Sequence, residues 1–174
     1  VRERNRLMSD PATPDPRWLD GIEEQIARSG AEVAAARAAM VARLDAMLRT
    51  QPAEPFARPE LSYLPGGLIE HDALAAALKQ ARGRDRAAGR TLSGPHRDEL
   101  QVMMAGKGQP AAHCSTGEQK AMLIAIVLAH SQLLEQMDAA QLRPRVLLLD
   151  EVAAHLDPLR REALFSRLGK SRAQ

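Results

Sequence analysis

Apolar residues recur three, four or seven positions apart between residues 17 and 50, a spacing that predicts one long helix. The stripe consists of Leu19, Ile22, Ile26, Val33, Ala36, Met40, Leu44 and Met47. Asp15 and Pro16 provide an N-cap and a first-turn proline. Residues 1–8 mix charged and apolar positions like the end of a preceding helix, before a proline-rich interruption. The pattern favours a two-helix arm, with a plain core helix as the alternative.

Shorter patterns follow a boundary marked by three prolines between residues 51 and 59. They predict a strand at 61–64, a helix at 70–89, a strand at 100–104 that ends in a hairpin turn at 106–108, a helix at 117–137, a strand at 145–150 and a helix at 157–168. The helix at 70–89 has Leu74 and Leu78 on its apolar face. The strand at 145–150 is apolar throughout, which predicts burial on both faces, as in a parallel sheet. The alternation predicts an α/β fold with a helical arm over residues 1–60 and a second domain over residues 61–174.

Composition changes this picture little. Aromatic residues make up 2% of the chain, so the core must be aliphatic, and the net charge of +2 does not by itself predict a nucleic-acid surface. One cysteine excludes an internal disulfide and fits a reducing, cytoplasmic compartment. No run of 18 apolar residues predicts a membrane span. The first residue is neither an initiator methionine nor part of a signal peptide, so we expect the chain to begin within a longer protein.

The most basic stretch of the chain includes four arginines, Arg82, Arg84, Arg86 and Arg90. Two interpretations are open. The arginines could form the solvated face of a helix, or they could form a patch that binds the phosphates of DNA.

Residues 146–151 read Val-Leu-Leu-Leu-Asp-Glu, an apolar strand that ends in two acids. Such a strand delivers carboxylates at its C-terminal edge, where α/β folds bind ligands. This arrangement matches the metal-holding strand of P-loop ATPases. In that interpretation Asp150 holds Mg²⁺ and Glu151 polarises the attacking water as a general base. The alternative is a buried strand followed by acidic capping residues.

Asp157 lies seven residues beyond Asp150 and precedes Pro158. ABC-type and SMC-like ATPases share this spacing, and there the aspartate belongs to a loop at the nucleotide interface with the partner subunit. Asp157 and Pro158 are also typical of an N-cap and first-turn pair. Both roles are compatible.

Five residues, Ser115, Thr116, Gly117, Glu118 and Gln119, introduce the helix predicted at 117–137. A hydroxyl and backbone amides at a helix N-terminus form an anion site. The run resembles the LSGGQ-type signature of the same superfamily, which clamps the γ-phosphate of ATP held by the opposite subunit. A capping box formed by a hydroxyl and Glu118 or Gln119 is the alternative.

The order of motifs over nearly the whole chain resembles the RecF family. The motifs are Gly94-Pro95-His96-Arg97-Asp98, then residues 114–120, then residues 148–157, with Arg4-Asn5-Arg6-Leu7 and the long helix fitting the arm. The resemblance implies the C-terminal part of an ABC/SMC-like P-loop ATPase head. It also implies a DNA replication and recombinational repair protein that uses ATP and Mg²⁺ and hydrolyses ATP slowly. Expected partners are single- and double-stranded DNA at gaps and junctions, an ATP-dependent homodimer, and mediators of the RecO and RecR type.

The turn at residues 94–98 presents two side chains that can carry positive charge, His96 and Arg97. A turn held by Arg97 with Asp98 or Glu99 is the plainer interpretation.

The chain has no Gly-x₄-Gly-Lys-(Ser/Thr) phosphate loop. We therefore expect that it neither binds ATP tightly nor hydrolyses it alone, and that it exposes apolar sheet edges. Another SMC-like or ABC-type ATPase fragment, and a non-enzymatic helical interaction module, remain alternatives.

Overall fold

The structure is a computed structural model, and it describes residues 1–10, 15–52, 54–137, 146–148 and 156–170. The elements in chain order are α1 (Arg2–Ser9), α2 (Pro16–Thr50), β1 (Pro59–Leu64), α3 (His71–Gln80), α4 (Arg82–Ala87), β2 (Glu99–Met104), β3 (Gln109–Pro110), α5 (Thr116–Met137) and α6 (Pro158–Lys170). Two short 3₁₀ turns lie at Pro95–Arg97 and Ala111–His113. The helices predicted at 17–50, 117–137 and 157–168 are confirmed within a few residues.

The chain divides into two compact units. Unit 1 contains Val1–Met40 and Tyr63–Leu100, and unit 2 contains Val41–Ser62 and Gln101–Gln174. The predicted division into an arm over 1–60 and a head over 61–174 stays a prediction. None of the described helices has the length and apolar character needed to cross a membrane.

The buried face of α2 differs from the predicted stripe. Leu19 and Leu44 are buried as expected, but Val33 is 40% exposed. Within unit 1 the buried positions on α2 are Leu19, Glu23, Ala27, Gly30 and Ala34. The small side chains explain the difference, because a Cβ on Gly30 would lie 2.8 Å from Pro95 Cγ and 3.0 Å from Leu74 Cδ2. Small residues allow α2 to pack closely against its neighbours. The predicted stripe was built from large apolar residues, so it did not include these positions.

The single helix predicted at 70–89 is in fact two helices, α3 and α4, which are separated at Ala81. Leu74 and Leu78 are buried as predicted, and they form a core cluster with Ala27 of α2. A side chain also contributes to this packing, because Arg4 of α1 donates a hydrogen bond of 2.8 Å to the carbonyl of Leu78.

The three strands form one sheet in the order β1-β2-β3. β2 and β3 are antiparallel, with Met104 opposite Gln109, and residues 105–108 form the turn between them. This confirms the predicted hairpin. Gly108 has a φ of +60°, a left-handed conformation that favours glycine.

The predicted buried strand at 145–150 is wrong for the part that the structure describes. Residues 146–148 are not in a strand, and Val146 and Leu148 are 72% and 88% exposed. A strand needs a neighbouring strand to satisfy its backbone hydrogen bonds, and the described residues place none beside it. The expectation of exposed apolar sheet edges stays a prediction, since these residues are not part of a sheet.

Candidate functional site

Ser115 caps helix α5 through a reciprocal pair of hydrogen bonds with Glu118. The Ser115 backbone N–H donates to Glu118 Oε2 at 2.9 Å, and the Ser115 hydroxyl donates to the same oxygen at 3.0 Å. The Glu118 N–H in turn donates to Ser115 Oγ at 3.4 Å. The capping box offered as the alternative for this motif is therefore present.

Lys107, in the turn between β2 and β3, lies against the same carboxylate, with 2.6 Å between its Nζ and Glu118 Oε1. The hydrogen bond from Lys107, followed by those from the Ser115 backbone and hydroxyl, lowers the pKa of Glu118 to about 2. The sequence did not connect Lys107 with this motif, because the residues lie 11 positions apart and only the hairpin brings them together.

The side chain of Gln119 connects the start of α5 to the residues that precede the helix. Its Nε2 donates to the carbonyls of Ala111 at 3.0 Å and Cys114 at 3.1 Å. Ser115, Thr116 and Gln119 are exposed. The five signature-like residues thus form a helix start that is closed by its own hydrogen bonds, and its predicted role as an anion site stays a prediction.

The pKa of Glu118 predicts how stability changes with pH. Because the folded-state pKa lies below the ordinary value of 4.5, its stabilising effect is complete above about pH 4.5 and is lost as the pH falls towards 2. We expect wild type to exceed Glu118→Gln in thermal midpoint at neutral pH, and the gap to shrink through that window. Melting curves of both proteins against pH test this, with Lys107→Met as an intermediate case. A gap that does not change with pH contradicts it.

Asp157 caps helix α6, as predicted. Its Oδ1 accepts a hydrogen bond of 2.8 Å from the backbone N–H of Arg160, and Pro158 is the first helical residue. The side chain of Arg160 lies 3.3 Å from the other carboxylate oxygen and also donates to the carbonyl of Pro55 at 2.8 Å. The cap role is confirmed, and the role at a nucleotide interface stays a prediction.

Asp157→Ala should lower the free energy of unfolding by about 1 kcal/mol, since one capping acceptor is lost. Asp157→Asn keeps a capping acceptor and should stay near wild type. Urea unfolding followed by circular dichroism measures both variants. Equal losses for alanine and asparagine would show that charge, and not capping, matters at this position.

The acidic pair Asp150 and Glu151 lies outside the described residues, so its predicted roles with Mg²⁺ and water stay predictions. Among the residues that the structure does describe, no group of three or more His, Cys, Asp or Glu side chains could hold a metal ion.

The four arginines assigned to DNA occupy different environments. Arg82 donates to Glu23 Oε2 through Nε at 3.0 Å and also pairs with Asp20, so its guanidinium serves the packing of α4 on α2. Arg86 donates to the carbonyl of Asp10 at 2.9 Å. Arg84 and Arg90 are exposed. DNA contact by any of the four stays a prediction, and the exposed pair are the better candidates.

A buried arginine that the sequence did not single out joins four segments of unit 1. Arg4 is 0% exposed. Its Nε donates to Glu23 at 2.9 Å. Its Nη1 donates to Asp85 at 2.7 Å and to Thr91 Oγ1 at 2.8 Å. Next to it, Asn5 Oδ1 accepts hydrogen bonds from the N–H and hydroxyl of Thr91 at 2.8 and 2.7 Å. The Arg4-Asn5 pair is the only signal in the sequence that could have indicated this network.

The turn at residues 94–98 is held by Asp98 and not by Arg97, which corrects the plainer interpretation. Asp98 Oδ2 accepts hydrogen bonds from Arg37 at 2.8 Å and from the Tyr63 hydroxyl at 2.7 Å, and its Oδ1 accepts from the Gly66 N–H at 2.9 Å. Burial alone would raise the pKa of Asp98, but these donors outweigh burial and lower it. Burial and the bond to Asp98 raise the pKa of Tyr63 to about 12.

Comparison with solved structures shows which fold the chain shares. Two structures described as the recombination mediator protein RecF in the RecFOR pathway, with ATP and with an ATP analogue, match 99% of this chain and 48% of their own. The TM-scores are 0.79 and 0.78, with 22% sequence identity in each case. At this identity the match shows the fold, which is that of about half of a RecF structure and agrees with the predicted fold class.

Comparison with curated proteins makes the assignment specific. The chain is 47% identical to the DNA replication and repair protein RecF of Brucella abortus over 97% of its length, and 46% identical to that of Mesorhizobium japonicum over 100%. It spans only 45% and 48% of those proteins. The resemblance to RecF is confirmed, and the chain fits a C-terminal portion of a RecF protein. No protein-family model matches it.

Proposed function

We propose that this chain is part of a DNA replication and recombinational repair ATPase of the RecF type. The observation that carries the proposal is 47% identity, over 97% of the chain, to proteins named for DNA replication and repair. The whole protein would bind ATP and Mg²⁺, dimerise in an ATP-dependent way, hydrolyse ATP slowly and bind DNA at single-strand gaps and single/double-strand junctions. It would act in the cytoplasm with mediators of the RecO and RecR type.

The signature-like residues have a defined task in this proposal. The helix start at Ser115–Gln119 would receive the γ-phosphate of ATP held by the partner subunit, because Ser115 and Thr116 are exposed at a helix N-terminus. That phosphate would compete with the Glu118 carboxylate for the same donors. Asp157 would lie at the same interface. Asp150 would hold Mg²⁺, and Glu151 would accept a proton from the attacking water.

The chain by itself should be inactive. Its sequence contains no phosphate loop to grip the β- and γ-phosphates. We expect no saturable Mg²⁺-dependent ATP hydrolysis by the 174-residue chain in a coupled phosphate-release assay. Robust turnover would contradict the expectation that the chain cannot hydrolyse ATP without a phosphate loop.

A chimera tests the proposed function directly. In it, this chain replaces the corresponding part of the Brucella abortus RecF protein, to which it is 47% identical. Sedimentation with ATP and Mg²⁺ reports dimer formation, and phosphate release reports hydrolysis. We expect the chimera to form an ATP-dependent dimer. A chimera that folds but stays monomeric with ATP would contradict the proposal.

Substitutions at Ser115 separate phosphate binding from helix capping. Both Asp and Asn cap a helix about as well as Ser, but an Asp carboxylate here would lie against that of Glu118, so melting curves must first show that each variant folds like wild type. In the chimera, Ser115→Asn should keep the stability of the helix and weaken the ATP-dependent dimer modestly. Ser115→Asp adds a negative charge that repels phosphate and should abolish the dimer. If Asp and Asn behave alike, the helix start does not meet the nucleotide.

A further inference from the structure

A groove in unit 1 runs along one side of α2, and we call it the α2 groove. Its volume is about 470 Å³, and its apolar lining comes from Val1, from Ile22, Ile26 and Val33 of α2, and from Pro95. Ile22 and Ile26 are half-buried, and Val33 is 40% exposed. These three side chains belong to the stripe of large apolar residues that the sequence predicted. Part of that stripe is therefore left uncovered by the residues that the structure describes.

One wall of the α2 groove is fixed in place by hydrogen bonds. Arg37, which lines the groove on α2, donates to the carbonyl of Pro95 at 2.7 Å and to Asp98 at 2.8 Å. The proline ring also lies against Gly30, where an added Cβ would come within 2.8 Å of Pro95 Cγ. The turn at 94–98 thus cannot move towards Val33 to close the groove without breaking these bonds.

The α2 groove lies on the line along which α1 would continue. Arg4 of α1 binds Glu23 of α2, with 2.9 Å between Nε and Oε1. The connection between the two helices is short, which is typical of antiparallel neighbours. Going backwards along α1 from Arg4 therefore corresponds to going forwards along α2 from Glu23, and Val1 accordingly lines the groove together with Ile26. Any further turn of α1 would meet Val33 next.

The first turn of α1 has the geometry that such a continuation needs. The backbone is helical up to the Val1 carbonyl, which accepts a hydrogen bond of 2.9 Å from the N–H of Asn5. Val1 makes no side-chain cap, and valine is a poor capping residue. Met8 and Arg4 are buried four residues apart, and Val1 lines the groove three residues before Arg4. A spacing of four and three is that of a helix packed along another helix.

We propose that the segment preceding Val1 in the whole protein continues α1 as one helix and fills the α2 groove. The chain fits the C-terminal portion of RecF proteins and spans less than half of each, so the whole protein supplies such a segment. The proposal rests on the RecF-type whole protein proposed above, and on nothing about ATP or DNA. Between Ile26 and Arg37, α2 rises by roughly 16 Å, so about 11 further residues of helix fill the groove.

The sequence of the preceding segment is the first test. Continuing the spacing of Met8, Arg4 and Val1 places the inward-facing positions about four, seven and eleven residues before Val1. We expect apolar side chains at these positions and no proline between them, because proline would break the helix. Sequencing the gene upstream of the codon for Val1 gives the answer. Charged residues at two of the three positions would contradict the proposal.

Thiol labelling tests the packing directly, in a Cys114→Ala background. In the 174-residue chain, Val33→Cys should react with a maleimide at a rate similar to that of Ala35→Cys, which lies exposed on the opposite side of α2. The chimera with the Brucella abortus RecF protein supplies a preceding segment. There, Val33→Cys should react about tenfold more slowly, because labelling requires the covering helix to open. Ala35→Cys should keep its rate.

Two outcomes would overturn the proposal. The first is equal labelling of Val33→Cys and Ala35→Cys in a chimera that still forms an ATP-dependent dimer, which would leave the proposed function standing. The second is protection of Val33→Cys that increases with protein concentration, because a second copy would then cover the groove. Melting curves must show that each variant folds, and Ser29→Cys, at another exposed lining position, replaces Val33→Cys if that variant does not. Protection in a chimera that stays monomeric with ATP would support the proposal and contradict only the proposed function.

Discussion

Arg4→Leu should lower the free energy of unfolding by about 3–5 kcal/mol, the cost of leaving buried charges without their partner. Arg4 is fully buried and is shared between Glu23 and Asp85, whose side chains are 3% and 1% exposed. Glu23 keeps Arg82 as a partner in the variant, so Asp85 carries most of the loss. Arg4→Lys should also be costly, because one ammonium cannot reproduce donors to Glu23, Asp85, Thr91 and the Leu78 carbonyl.

Arg6→Leu is the control, since Arg6 lies on the same helix in an exposed pair with Glu3, and its loss should change the free energy of unfolding far less than the loss of Arg4. Urea unfolding followed by circular dichroism gives both values. The double variant Arg4→Leu/Asp85→Leu should lose less than the sum of the two single variants, because neither buried charge is then left alone. Similar losses for Arg4→Leu and Arg6→Leu would contradict the structural role of Arg4.

Gly66→Ala should lower the free energy of unfolding by about 2–4 kcal/mol, through overpacking and the loss of hydrogen bonds. A Cβ there would lie 2.4 Å from the backbone carbon of Arg97 and 2.6 Å from its carbonyl oxygen, and backbone cannot rotate away. The required shift would break the bonds that Gly66 makes to Gly94 at 3.0 Å and to Asp98 at 2.9 Å.

Gly83→Ala provides a control with the opposite sign. A Cβ on Gly83 meets no heavy atom within 4 Å, and the residue lies in helix α4. Alanine should stabilise the helix by about 0.5–1 kcal/mol. Thermal and urea unfolding of the two variants measure the difference. A mild effect of Gly66→Ala would mean that the backbone of Arg97 can shift to accept the added Cβ, which would contradict the expected overpacking.

Local signals were sufficient for most of the helices and for the hairpin. The prolines, the Asp157-Pro158 pair and the spacing of apolar residues mark boundaries that the structure confirms. The buried face of α2 could not be predicted, because it depends on Ala27 and Gly30 meeting α3 and Pro95, which are distant in sequence. Hydrophobic periodicity depends mainly on the positions of large apolar residues. A close contact made by alanine and glycine does not produce that periodicity.

The candidate site shows the same limit. The residues at the start of α5 were recognisable from their order alone, because a hydroxyl and a carboxylate three positions apart form a local cap. Lys107 was not recognisable as their neighbour, because the contact depends on the β2–β3 turn. Likewise, Asp98 was predicted to interact with Arg97 beside it, yet its partners come from α2, β1 and the loop after β1. Ion pairs between distant segments are set by the fold and leave little trace in one sequence.

The network around Arg4 has a consequence for how sequences of this kind can diverge. Arg4, Glu23, Asp85 and Thr91 come from four separate segments, yet each depends on the charge or hydroxyl of another. A relative that loses the arginine should therefore also have replaced Asp85 by an uncharged residue. Covariation between positions 4 and 85 across related sequences would record this coupling, even where overall identity is low.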